Sequence, residues 1–500
     1  MLFRSGCGTP FPIRLDPGAR NLHPPGVQLH PPIRHLVRTT IAAGLGLLRA
    51  SGAEPEVAPG DLPRTPPVEV RNALKTFQVK PGFTLQVVAA EPLVVDPVAM
   101  DFDEEGRLFV VEMRDYSERR DERLGRIRML EDVDGDGRYD KSTIYADNLP
   151  WPTALLCYHG GVFIGTTPDI LYCKDRNHDG VADTREVVFT GFASDSLNHL
   201  NVQALLNSFH WGLDNRIHGS ASVSGGHVTS PRFKGRPAID LRGLDFSFDP
   251  RQFDIRPESG GGQHGMCFDN TGHKFVSSNS DHLQQVVYED RYSRVGSWVD
   301  LPPVRRSIAV DGPAAEVFRI SPDEPWRVIR TRWRVTGAVP GMIEGGGRPS
   351  GYFTAATGVT VYRGNAYPRE YWGDVFVADC GSNLIHHKKL RHQGPDLLAE
   401  RPPDELHREF IASTDNWFRP VQFVNAPDGT LHVLDMYREF IETPESIPEE
   451  IKKGLNFWSG DDKGRIYRIK SKTPGKQRPL TVNLGKMSSA ELVKLLEETN

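Results

Sequence analysis

The 500-residue chain is poor in cysteine: it has five, with no C-x-x-C pair and no C-x-x-C-H. A zinc ribbon and covalently attached haem are therefore excluded within it. No run of 18 apolar residues occurs, which excludes an ordinary membrane-spanning helix. A large charge of one sign is missing too. Sixty basic against 65 acidic side chains leave a formal net charge of −5, a poor footing for a phosphate backbone, so nucleic acid is not an expected partner. Glycine and proline are plentiful instead, at 48 and 39 residues. They fit many tight turns and point to an all-β chain.

The first 33 residues are rich in proline, lack periodicity and are expected to be disordered. Arg34, His35 and Arg38 follow, then the short apolar run from Ile41 to Leu48, then Ser51-Gly52-Ala53. Basic, apolar, small is the order of a secretory signal, although it lies deep in the chain. Residues 1–53 are read as a disordered arm and signal peptide, 54–70 as a Pro-rich linker, and the protein as exported, to the periplasm or beyond the cell. Cys157, Cys173, Cys267 and Cys380 remain in the mature chain, each within an apolar strand-like run, and are read as buried thiols.

One unit recurs: an apolar opening, a strand, a turn with Gly or Asn, and a second apolar strand. The copies are 97–113, 151–167, 199–220, 263–281, 362–380 and 418–436, with turns near Gly106, Gly161, Asn215, Gly272, Gly373 and Gly429. A spacing of about 55 residues suits four short strands per unit and predicts a six-bladed β-propeller over 71–475. The double gap from 272 to 373 leaves room for a seventh blade, but 315–329 reads as outer strands, so an insertion in the fourth blade is preferred. Residues 464–469 are expected to close the ring against 84–90. The last segment, 476–500, changes to a linker and a short C-terminal helical extension. There Ser488 and Glu491 form a capping box, and Leu492, Leu495 and Leu496 form an apolar stripe.

Two acidic loops stand at corresponding places in the first two units. Asp132, Asp134, Asp136 and Asp140 put oxygen at positions 1, 3, 5 and 9, with glycine at 6. Asp175, Asn177, Asp179 and Asp183 repeat the spacing, and Glu186 adds position 12. Such spacing wraps a hard cation, so structural Ca²⁺ is expected between third and fourth strands, at the rim away from the funnel.

In an antiparallel blade the start of the inner strand and the end of the second strand lie at one end. The residues there ring a central mouth where a small molecule or glycan would bind. His199, behind Asn198, is read as the start of blade three and the candidate general base. Gln263 and His264 open blade four, and Arg419 opens blade six. His264 and His282 are a candidate metal pair in the channel. Asp281, Asp379, Asn383, Tyr437 and Arg438 are further mouth residues.

The run NHLNVQALLNSFHWGLDNRIHGSAS, the QHGMCFD and FRPVQFVNAPDGTLHVLDM openings and the two acidic loops resemble one family. It is the "membrane-bound dehydrogenase" propellers of planctomycetes and verrucomicrobia, which are similar to soluble quinoprotein sugar dehydrogenases. The resemblance covers about residues 70–475, and the helical tail looks like the start of HEAT-type repeats. It implies oxidation of a sugar or polyol on pyrroloquinoline quinone, with a cytochrome c as redox partner. His199 would take the hydroxyl proton, and Asn198, Gln263, His264 and Arg419 would lie against the cofactor. The chain departs from the quinoprotein pattern at Gly261-Gly262 and at Gly381, where that pattern has basic residues. A non-catalytic glycan- or protein-binding propeller and a Ca²⁺-dependent lactonase-like hydrolase are the alternative functions.

Overall fold

The computed structural model describes residues 53–293, 300–473 and 483–497. The disordered arm and the signal sequence read at 1–53 lie outside these, apart from Ala53.

Val, Ile and Phe alternate in short runs between turns, and the runs form six antiparallel sheets in sequence order around an axis, a six-bladed β-propeller. Blade one is Pro97–Phe102, Leu108–Glu112, Gly125–Glu131 and Lys141–Leu149. The inner strands of blades two to six are Pro152–Tyr158, Asn207–Trp211, Met266–Phe268, Ala356–Val361 and Pro420–Asn425. Side chains from neighbouring blades interdigitate. Phe163, Phe189, Phe246 and Phe248 form one buried cluster between blades two and three. Losing one such ring would cost about 3–5 kcal/mol.

Closure uses the N-terminal end of the described chain twice. Phe83–Ala90 is the outer strand of blade six, pairing with Arg465–Ser471, as the sequence leads one to expect. Phe77–Val79 is the outer strand of blade five, pairing with Ile411–Ser413. The Pro-rich stretch before them lies along the propeller: Leu62 is buried, and the Val68 N–H donates to the Tyr437 hydroxyl at 2.8 Å.

Three local expectations are corrected. Residues 315–329 are not outer strands of blade four. They lead into the α-helix Pro325–Thr336, which has proline in its first turn and ends at Gly337 in the left-handed region (φ 73°). Blade three begins at Asn207, not at His199, which closes the 3-10 helix Ser194–His199. Blade five begins at Ala356, ahead of the copy read at 362. The short helix Ser489–Leu495 forms with its capping box, while Leu492 and Leu496 stay exposed. Among the described residues Cys157, Cys173, Cys267 and Cys380 are free thiols, the middle two buried. No helix of the described residues is long and apolar enough to cross a membrane.

Candidate functional site

The inner strands of all six blades open on one central cavity of about 480 Å³. Val98, Thr153, Asn207, Gly265, Thr357 and Val421 each bring one blade to its wall. Asn207 positions the neighbouring blade: its side-chain amide donates to the Gln263 carbonyl at 3.0 Å, and its oxygen accepts from the Gly265 N–H at 3.2 Å. Gly265 has a φ of +98°, and a Cβ there would stand 2.8 Å from the Gly358 and Val359 nitrogens, so only glycine lets blades four and five approach this closely.

The helix Pro325–Thr336 lines the funnel mouth. Its sequence carries two adjacent stripes at helical spacing. Trp326, Ile329 and Trp333 are buried with Leu62, Phe440 and Ile451. Arg327, Arg330 and Arg334, one position round, line the cavity. Arg330 and Arg327 are each 4% exposed. Arg330 meets Glu442 at 3.4 Å and the Ser446 carbonyl at 3.2 Å. Burial works to raise the Glu442 carboxyl, but Arg330 and Arg327 beside it outweigh that and hold it below its ordinary value. Gln203 donates to the same carboxylate at 3.4 Å.

His264 lines the cavity, and burial pulls its imidazole down to about 4, against a hydrogen bond with the Gln203 backbone. It is therefore neutral near pH 7. Asn279, Ser280, Thr354 and Gln422 also line the wall, and their side chains hold no hydrogen bond within the described residues.

The other expected site residues stand elsewhere. Asn198 and His199 are exposed on their 3-10 helix and do not line the cavity. Gln263 is half-buried and holds the Gln203 carbonyl and the Asn279 N–H, both at 3.3 Å. Arg419 is 0% exposed, and all three of its guanidinium nitrogens are engaged, with Glu324 at 2.7 Å and the carbonyls of Cys380, Arg438 and Glu439. Asn383 is buried under the Asn416 and Phe418 carbonyls, and Arg438 is paired with Asp96 at 2.5 Å. His282 donates from Nδ1 to the Pro313 carbonyl at 2.7 Å and stacks on Phe353 at 4.2 Å, so it is turned to the blade-four edge, away from a pair with His264.

Both acidic loops lie between third and fourth strands. Asp132 accepts from the N–H groups of Gly135 and Gly137, and Asp175 does the same for His178 and Gly180, one fold repeated. Asp140 and Asp183 accept from Val133 and Arg176 in turn. Carboxylate oxygens of Asp132, Asp134 and Asp136 lie within 4.8 Å of one another. Asn177 and Asp179 hold each other at 3.1 Å. Glu186 is not brought to its loop; it forms a two-pronged pair with Arg232 at 2.6 Å.

These features define a class: a six-bladed propeller with an arginine-lined funnel at its axis. The chain belongs to the family described as a domain of unknown function, DUF7133, whose model matches residues 69–473. No curated protein matches the sequence. Among solved structures it is similar to the quinone domain of a pyranose dehydrogenase from Coprinopsis cinerea (14% identity, 82% of this chain and 98% of that one, TM-score 0.43). It is also similar to a Trichoderma reesei carbohydrate-active enzyme of family AA12 (12%, 81% and 100%, 0.43) and to a luciferin-regenerating enzyme (11%, 80% and 99%, 0.42). At such identities the likeness says nothing about a substrate.

Proposed function

We propose that the chain binds a small polyhydroxylated molecule, a sugar or polyol, in the central funnel. The observation that carries this is the wall itself. Four polar side chains without partners among the described residues, Asn279, Ser280, Thr354 and Gln422, converge with His264 on one 480 Å³ cavity. Val98, Met113, Val421 and Met436 supply apolar surface between them, as the C–H faces of a sugar require. Calorimetric titration with a panel of sugars and polyols tests it. Saturable binding weakened in Gln422→Ala is expected, and no binding across the panel overturns it.

Oxidation of the bound hydroxyl, which the family resemblance implies, is a second reading. The neutral His264 imidazole favours it, since one ring nitrogen is left to accept from a hydroxyl. Of the groups expected to hold pyrroloquinoline quinone, His264 lines the cavity, Gln263 is engaged with Gln203 and Asn279, and the rest do not fit that cofactor. Arg419 is buried and committed to partners within the protein, and Asn198 and His199 are off the cavity. Dye reduction in the presence of the quinone, Ca²⁺ and a sugar, lost in His264→Ala, would support oxidation; none with any sugar counts against it. A cytochrome c partner belongs to this reading alone.

The two acidic loops take Ca²⁺ in this proposal, through Asp132, Asp134, Asp136 and Asp140 and through Asp175, Asn177, Asp179 and Asp183. The ions would staple blades one and two and would not touch the ligand. Export rests on the basic, apolar and small order of residues 34–53.

A further inference from the structure

Neutral sugar binding does not call for the charge at the funnel mouth. Arg327, Arg330 and Arg334 recur at helical spacing on one stripe, and all three line the cavity. The helix is not free to turn them away, because the next stripe buries Trp326 and Trp333.

The carboxylates near these arginines are unevenly shared; Asp379 stands by Arg327 and accepts from the Thr354 and Ser382 N–H groups. Glu324 is taken by Arg419 at 2.7 Å and reaches Arg327 only at 3.4 Å. Glu442 stands 3.4 Å from Arg330, and Glu344 lines the cavity from an exposed position. Arg334 has no carboxylate partner among the described residues; its Nη2 donates to the Ser446 carbonyl at 3.2 Å. The buried Nε atoms of Arg330 and Arg334 have no acceptor among the described residues. Arg327 is answered by Glu324, Glu442 and Asp379 and Arg330 by Glu442, so Arg334 is the one of the three left without a carboxylate among the described residues. Arg334 lines the cavity half-buried and without a carboxylate of its own, so the arrangement favours a ligand that supplies acceptors to its guanidinium. A single carboxylate brings one negative charge and two acceptor oxygens, and guanidinium forks match its geometry. A phosphate would bring a second charge against the one arginine that lacks a carboxylate.

We infer that the funnel's ligand is an acidic sugar, of the uronate or aldonate class, whose carboxylate is held by Arg330 and Arg334 while its hydroxyls face His264 and the polar wall. This rests on the sugar-binding reading and narrows it.

Titration with glucuronate, glucose and glucose 6-phosphate tests it at low and high salt. Glucuronate is expected to bind about tenfold or more tighter than glucose at low salt, and the advantage should shrink as salt rises. Arg334→Gln should bring glucuronate down to the affinity of glucose, with thermal melting as the check on folding. The salt series on the unaltered protein tests the same point without any variant. Equal binding of glucose and glucuronate at low salt overturns this inference and leaves the sugar reading standing. Preference for glucose 6-phosphate overturns the carboxylate assignment. If no sugar binds, neutral or acidic, the sugar reading falls and this inference falls with it.

Discussion

Arg419 and Glu324 form a wholly buried ion pair, guanidinium to carboxylate at 2.7 Å. Arg419 immediately precedes the inner strand Pro420–Asn425, and Glu324 is the N-cap residue of the helix Pro325–Thr336. The pair therefore clamps the funnel's arginine helix to blade six. An arginine that reads from sequence as a ligand for a cofactor is a fastener.

Removing one partner of a buried pair strands the other charge, at a cost of about 3–5 kcal/mol. Arg419→Ala should lower stability by that order in urea unfolding. Arg419→Met with Glu324→Gln should recover a good part of it. A stable single variant that only loses ligand binding would contradict the structural role.

The His264 imidazole, drawn down to about 4 by burial, stays neutral from pH 5 upward. Ligand affinity should be flat from pH 5 to 8 and weaken as the pH falls toward 4, where protonation removes the acceptor nitrogen. His264→Gln should cost about fivefold in affinity, the worth of one neutral hydrogen bond. Titration across pH checks both; a midpoint near 6.5 would mean an open, solvated ring.

Glu442 is held ionised by Arg330 and Arg327 and cancels part of their charge. Glu442→Gln should strengthen uronate binding severalfold and leave neutral sugars little changed, as competition titration would show. Weaker uronate binding in this variant would mean that the carboxylate instead orients the arginines.

Burial raises the Asp101 carboxyl to about 7, although the Cys157 N–H donates to it at 2.8 Å. The unfolded group titrates near ~3.9, so the folded state binds more protons between these values and stability falls as pH rises through that window. Asp101→Asn should melt higher than the unaltered protein at pH 8 and equally below pH 4. Identical melting at both pH values would show a carboxyl that is hydrated after all.

Calcium at a hundred times its dissociation constant would stabilise the fold by about 2.7 kcal/mol. Thermal melting with Ca²⁺ and with chelator should differ by several degrees, less so in Asp132→Asn and in Asp175→Asn. No shift on chelation would leave the loops as turns held by their own N–H bonds.

The blade count and the ring closure are legible in the sequence because both depend on period. Strand, turn and strand recur, and the closing segment 464–469 carries the same alternation. Blade three shows how a chemical group can mislead. In blades one, two and six the turn follows the inner-strand start by about nine residues, as from Pro97 to Gly106, so the turn at Asn215 points near Asn207. His199 stands out as a chemical group, ahead of where the spacing leads. The arginine helix escapes the strand pattern although its signals are present: proline at the first turn, glycine just past the end, and tryptophans at 326 and 333. Alternating apolar residues before it suggest strands, and local alternation cannot reveal that an insertion crosses the mouth of a ring. Arg419 does stand at the head of blade six, yet its partner lies 95 positions earlier in the chain, beyond any local pattern.

The outer strand of blade six comes from residues 83–90 and its other three strands from 420–471. During synthesis the outer strand of blade six is thus made long before the strand it pairs with, and the ring cannot close until that strand arrives. A chain cut short before Arg465 would leave an open arc rather than a circle, with a bare strand at its edge.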